Sequence, residues 1–168
     1  MTDSELPLRM RNALRRLAKA VVVITSRHEG ARYAMAATAV SELSMEPPSL
    51  LICVNKTASI HAPLTAGADF CINILHASHE TIAARSSGKV KGEARFEEGD
   101  WADSPTGTPY LRDAQASFFC TMDASLSYGT HDIFIGRLQD VLYSGPVDPL
   151  VYVDGRYTIV APTETAAK

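Results

Sequence analysis

Between Leu8 and Ala20, apolar residues fall at Met10, Ala13, Leu14, Leu17 and Ala18, the spacing of one buried face on an amphipathic helix. Val21 to Ser26 changes the pattern to a continuous β-branched run, which predicts a strand buried on both faces. Arg27-His28-Glu29-Gly30 supplies a hairpin turn, and Tyr33 to Val40 returns as a second strand. A polar loop follows, closed by Pro47 and Pro48, each of which fixes its own φ and pushes the preceding residue extended. Ser49 to Val54 is a third strand. Pro63 fits a helix only in the first turn, so the next helix starts no earlier than about Ile60 and ends at Gly67.

Asp69 to Leu75 predicts a fourth strand and Glu80 to Arg85 a short helix. Ser86 to Pro105 reads as an irregular excursion holding Phe96 and Trp101. Beyond it, Ala116–Leu126 and Ile133–Leu142 flank a turn at Tyr128-Gly129-Thr130, and Leu150–Val153 pairs with Tyr157–Val160 around Asp154-Gly155. Thr163 to Lys168 reads as a frayed tail. Many strands, antiparallel turns and few helices predict a mainly β fold, a closed barrel with helices packed at its ends. No linker or repeat breaks the pattern. The expectation is one domain over residues 1–168, with an N-terminal helix at 8–20 and a barrel at 21–160.

Composition narrows the function classes. With 46% hydrophobic and 21% charged residues, the chain has a globular composition, and 168 residues suffice to bury roughly two thirds of the unfolded surface. A net charge of -3 gives no reason to expect nucleic acid. The cluster Arg9, Arg11, Arg15 and Arg16 reads as the solvated face of the first helix. No apolar run is long enough to span a membrane as a helix. The start MTDSELPL lacks a basic segment followed by an apolar block, so a cytoplasmic protein is expected.

Cys53, Cys71 and Cys120 lie in apolar strands without CxxC spacing, which predicts inert thiols rather than a disulfide framework. The five histidines show neither HxH nor HExxH, so no metal centre is expected. GxSxG, GxGxxG and the P-loop are all missing, which removes a nucleophile elbow and the two glycine-signature nucleotide loops.

Two stretches remain. Residues 33–59, YAMAATAVSELSMEPPSLLICVNKTAS, put small and hydroxyl side chains (Ala37, Thr38, Ala39, Ser41, Ser44) where a core strand normally carries bulk. That opens the backbone to a flat ligand. The turn Asn55-Lys56-Thr57 is either an ordinary loop before a helix or a set of donors for an anion. The second stretch is Gly129-Thr130-His131-Asp132.

Together these segments resemble the flavin reductase family of FMN-binding split barrels, over about Met10 to Tyr157. The resemblance implies hydride transfer from NADH or NADPH to FMN or FAD, with reduced flavin supplied to a separate oxygenase. It also implies a homodimer. On that likeness Thr38, Ala39, Val40 and Ser41 would line the flavin ring. Cys53, Val54, Asn55, Lys56 and Ser59 would follow its pyrimidine edge, ribityl chain and phosphate. Asn73, on FCINIL, is either a ligand contact or bonded to neighbouring backbone. Arg85 and Ser87 match a helix end that commonly reads Arg-Phe-Ser-Gly, with Ser86 in place of the aromatic. His131 would position nicotinamide, with Phe96 and Tyr152 flanking it. Members of the same fold that reduce a cobalt corrinoid, or bind flavin or haem without turnover, are the alternatives.

Overall fold

The structure, a computed structural model, describes residues 5–161; the tail Thr163 to Lys168 lies outside them. Helix α1 (Leu6–Leu14) is followed by β1 (Lys19–Ala20), β2 (Val22–His28), β3 (Ala31–Ala37), β4 (Val40–Met45) and β5 (Pro48–Asn55). Next come α2 (His61–Thr65), β6 (Phe70–Ile74) and α3 (Glu80–Ala84). A wide turn at Arg85–Lys89 and a 3-10 turn at Gly92–Phe96 lead to β7 (Trp101–Asp103) and β8 (Pro109–Leu111). The long hairpin β9 (Ala116–Tyr128) and β10 (His131–Tyr143) precedes β11 (Val151–Val153) and β12 (Arg156–Thr158).

Seven strands form one antiparallel sheet in the order β3-β2-β6-β9-β10-β5-β4. β2 divides two cores, as its unbroken β-branched run predicts. Val22 and Ile24 pack on one face with Ile52, Val54, Phe70 and Phe134, while Val23 packs on the other with Leu75, Ile82 and Phe96. Phe70 and Cys120 close over Gly136 on β10; a Cβ there would lie 2.4 Å from the Phe70 ring and 2.6 Å from Cys120 Cβ.

Three expectations need correction. The barrel does not close. β3 and β4 are the two sheet edges, linked through Thr38-Ala39 without a ladder between them. The edge of β3 is covered instead by the turns at Arg85–Lys89 and Gly92–Phe96, because Arg95 Nη1 donates to Ala34 O. The polar stretch before Pro47 is a strand, since Val40 to Met45 pairs with Pro48 to Ile52 around a bulge after Glu42. The first helix ends at Leu14, and Lys19–Ala20 pairs with β11. That helix buries none of its residues in this chain: Leu6, Leu8, Met10 and Leu14 are all exposed.

A charged latch joins the end of the barrel. Asp132 accepts from His61 Nε2 at 2.7 Å and lies 3.5 Å from Lys56 Nζ, which donates to Gly129 O at 2.9 Å. α2, the turn before it and the β9–β10 turn are thereby tied at one carboxylate. The His61 hydrogen bond, foremost among several contacts, holds the Asp132 carboxyl below its ordinary 3.8.

Gly136→Ala should destabilise the protein by about 1–3 kcal/mol in urea unfolding, because both obstructing atoms are fixed by the core. A carboxyl depressed in the folded state stabilises above its unfolded value and loses that contribution as pH falls through the folded one. Wild type should therefore melt above Asp132→Asn at about pH 7, with the gap closing below about pH 4. A gap independent of pH would contradict the latch.

Candidate functional site

Along β3, whose outer edge pairs with no strand, four adjoining cavities follow the chain from Ala31 to Glu42. Their volumes, in order, are ≈ 240, 540, 400 and 650 Å³. Residues shared between neighbours make them one groove. Ser59, Gly92 and Arg95 wall the first and second, Ala36 and Ser87 the second and third, and Thr38 the third and fourth. The alanine-rich run Ala34, Ala36, Ala37, Ala39 keeps the groove open, since larger side chains would fill it. Its widest part is largely apolar, bounded by Val22, Leu50, Ile72 and Phe118.

The second cavity carries positive charge without a matching carboxylate. Arg95 is only 8% exposed, and burial lowers its pKa. Its guanidinium donates to Val90 O at 2.8 Å, to Ser59 Oγ at 3.2 Å and to Ala34 O. All three acceptors are neutral. Among the described residues no carboxylate pairs with Arg95, although its neighbours Glu93 and Glu97 pair with Arg32 and Arg85. A buried cation without a counter-charge is costly unless an anion joins it. The Ser86 hydroxyl is also buried in this wall without a hydrogen-bond partner. Lys91 adds a second cation, and the lining holds neither Asp nor Glu. Gly88 (φ 106°) and Gly92 (φ 59°) bend the two turns into this wall, conformations that side chains with a Cβ rarely adopt.

The residues expected from sequence divide into two groups. Thr38, Ala39, Val40, Ser41 and Cys53 line the fourth cavity together, Ser59 and Ser87 the second, and Tyr152 the third. The other side chains lie elsewhere. Val54 is fully buried in the core beside Phe134. Asn73 is buried and satisfied: Nδ2 donates to Val23 O and Thr25 Oγ1, and Oδ1 accepts from Leu111 N and Ser117 Oγ. Its backbone alternative is the one realised. Asn55 Oδ1 caps the next turn by accepting from Thr57 N and Oγ1, both at 2.9 Å.

Lys56 reaches away to Gly129 O and Asp132, so it is not the cation of the second cavity. Arg85 is held by Glu97 and Ala94 O, and braces the turn that carries Arg95. Phe96 is a core residue against Trp101, with the Arg32 guanidinium 4.2 Å above its ring. His131 is exposed at the hairpin tip, its Nδ1 2.9 Å from Thr130 Oγ1. It sits opposite Asn55 on β5, on the sheet face that also carries Cys53, and lines none of the four cavities. Arg95 was the residue sequence reasoning passed over. The available signal was a charged side chain between Ala94 and Phe96, in a segment with glycines at 88 and 92.

Comparison with known proteins bears on the family and the fold. Residues 14–161 match the family model described as "Flavin reductase like domain". The FMN reductase (NADH) RutF of Variovorax paradoxus strain S110 is 38% identical over 151 residues, which cover 90% of this chain and 84% of the relative. The reductase component of the FADH(2)-dependent resorcinol hydroxylase of Rhizobium sp. strain MTP-10005 is 36% identical over 159 residues, covering 94% and 89%. Among solved structures, the NADH:FAD oxidoreductase of Streptomyces globisporus C-1027, in complex with NAD and FAD fragments, superposes with a TM-score of 0.89 at 25% identity, covering 98% of this chain and 99% of that one. A family match over residues 14–161, joined by relatives 36–38% identical over at least 90% of the chain, leaves one assignment: the chain belongs to the flavin reductase family.

Proposed function

We propose that this protein is an NADH-dependent flavin reductase that supplies reduced flavin to a separate oxygenase component. The observation that carries this reading is Arg95, a buried guanidinium with no carboxylate partner, set beside a slot of small residues. The residues fit a flavin. Arg95, Lys91, Ser59, Ser86 and Ser87 would hold its phosphate, and Thr38 to Ser41 with Cys53 would border its ring system. When bound, flavin supplies the hydride-accepting chemistry. What the chain must do is bind, orient and keep water from the reacting faces.

On this reading His131, exposed at the β9–β10 tip, would meet the nicotinamide. With Nδ1 engaged by Thr130 Oγ1 at 2.9 Å, Nε2 would be the ring nitrogen that meets the carboxamide. Tyr152, packed edge-on against Tyr157, lies along the third cavity and offers an aromatic wall. The thiols take no part in redox chemistry on this account. Burial pushes Cys120 up to about 12 and raises Cys71 well above its ordinary value, so both stay protonated at neutral pH.

The same reading carries a single functional domain, a cytoplasmic location and a homodimer. Support for the dimer comes from exposed apolar residues on α1 (Leu6, Leu8, Met10) and on the β9–β10 hairpin (Leu126, Tyr128). Val21 is buried and Leu50 half-buried, so neither adds to that surface. Among the described residues no helix is long and apolar enough to cross a membrane.

NADH oxidation by the purified protein should depend on added flavin. His131→Ala should raise the KM for NADH about ten-fold while moving the flavin KM less than two-fold. Equal effects on both would remove His131 from the nicotinamide site. No flavin-dependent turnover in wild type would overturn the reading as a whole.

A further inference from the structure

We infer that the cavity between the β7–β8 loop and the β9–β10 hairpin is a second ligand site, one that takes a small organic ammonium ion with an apolar body. It measures ≈ 320 Å³, at the small end of the roughly 300–1,000 Å³ of ligand cavities in general. None of its lining residues borders the groove along β3. Side chains alternate along β9, so Phe118 lines the groove and Phe119 this cavity, on opposite faces of one sheet. A ligand here leaves the flavin groove free.

Charge selects the ligand. Asp69, Asp103 and Asp140 line the cavity, and no Lys, Arg or His does. Arg27 neutralises Asp103 at 2.6 Å and holds the same loop through Gly107 O at 2.7 Å. Neither Asp69 nor Asp140 has an ion pair among the described residues. Burial foremost, and the Asp69 charge after it, lift the Cys120 thiol to about 12, which puts that carboxylate beside the inner wall of the cavity. Among the described residues these carboxylates do not converge as the ligands of a metal ion would. Tyr110 and Phe119, edge-on at 5.2 Å, add an aromatic wall that suits an ammonium group and its hydrocarbon body together. Thr108 is an independent mark of a ligand. It is only 5% exposed, yet its hydroxyl has no hydrogen-bond partner among the described residues and is not sealed by protein, so it opens on the cavity. A buried hydroxyl is normally paired, and an ammonium N–H would pair this one. The register break between Leu138 and Asp140 leaves Gln139 outside the ladder, where it lines the same space.

Titration of phenethylamine into the full chain at neutral pH and low salt, followed by calorimetry, tests this. The amine should bind about ten-fold more tightly than 2-phenylethanol or 3-phenylpropanoate, its neutral and anionic counterparts. Asp69→Asn should weaken the amine about ten-fold, and Thr108→Val, which keeps the shape and removes the hydroxyl, about three-fold. Asp140→Asn, at an exposed position, should weaken it in the same direction and serves if either buried variant fails to fold. Saturating FMN should leave the amine Kd unchanged. Equal affinity for the alcohol, affinity unmoved by Asp69→Asn and Asp140→Asn, or no amine binding at millimolar concentration would overturn the site. An amine displaced by FMN would lie in the groove instead, and would overturn it equally.

Discussion

An edge strand with free backbone groups has to be covered, paired or left to solvent, and in this protein the edge of β3 is handled in a way that determines everything near it. A ladder to β4 would close the barrel and eliminate the groove. Instead the chain sends Arg85 to Phe96 back across that edge, and a single side chain makes the junction: Arg95 donates to Ala34 O on the strand, to Val90 O in the covering segment and to Ser59 on the far wall. Three segments distant in sequence are held by one guanidinium. Because all its acceptors are neutral, the charge at this junction has no carboxylate to balance it. The proposed function rests on that imbalance.

The rest of the site is arranged around that choice. Rigid strands present the small residues of the slot, while turns present the polar groups, a division suited to a ligand that is flat at one end and anionic further along. The latch of Lys56, Asp132 and His61 keeps the turn before α2 fixed to the β9–β10 tip. His131 and the Asn55 turn are therefore tied together through Lys56 and Asp132. Buried thiols and a fully satisfied Asn73 serve packing alone.

Much of the fold was legible in the sequence, because hydrophobic pattern and turn chemistry act locally. The run Val21 to Ser26 announced a strand buried on both faces, and Pro63 with Gly67 bracketed α2. Barrel closure was not legible. It depends on whether an edge meets another strand or a covering loop, and that is decided by one long-range contact. The stretch before Pro47 misled for a related reason: on an edge strand, serine and glutamate can face solvent, so polarity there says little about pairing.

The site divides along the same line. Thr38 to Ser41 line the groove where the small-residue pattern leaves space, and Ser59 borders its second cavity. Lys56 and Arg85 line neither, because a long cationic side chain can reach several acceptors, and sequence does not say which. Lys56 found Asp132, Arg85 found Glu97, and the cation left without a carboxylate was one that the pattern had not singled out. The comparison that tests this account most directly is the affinity of FMN against riboflavin, which differ only by the phosphate, in wild type and in Arg95→Gln. The account predicts that wild type prefers FMN by about ten-fold or more and that the variant binds both alike. A preference for FMN that survives loss of the guanidinium would contradict it.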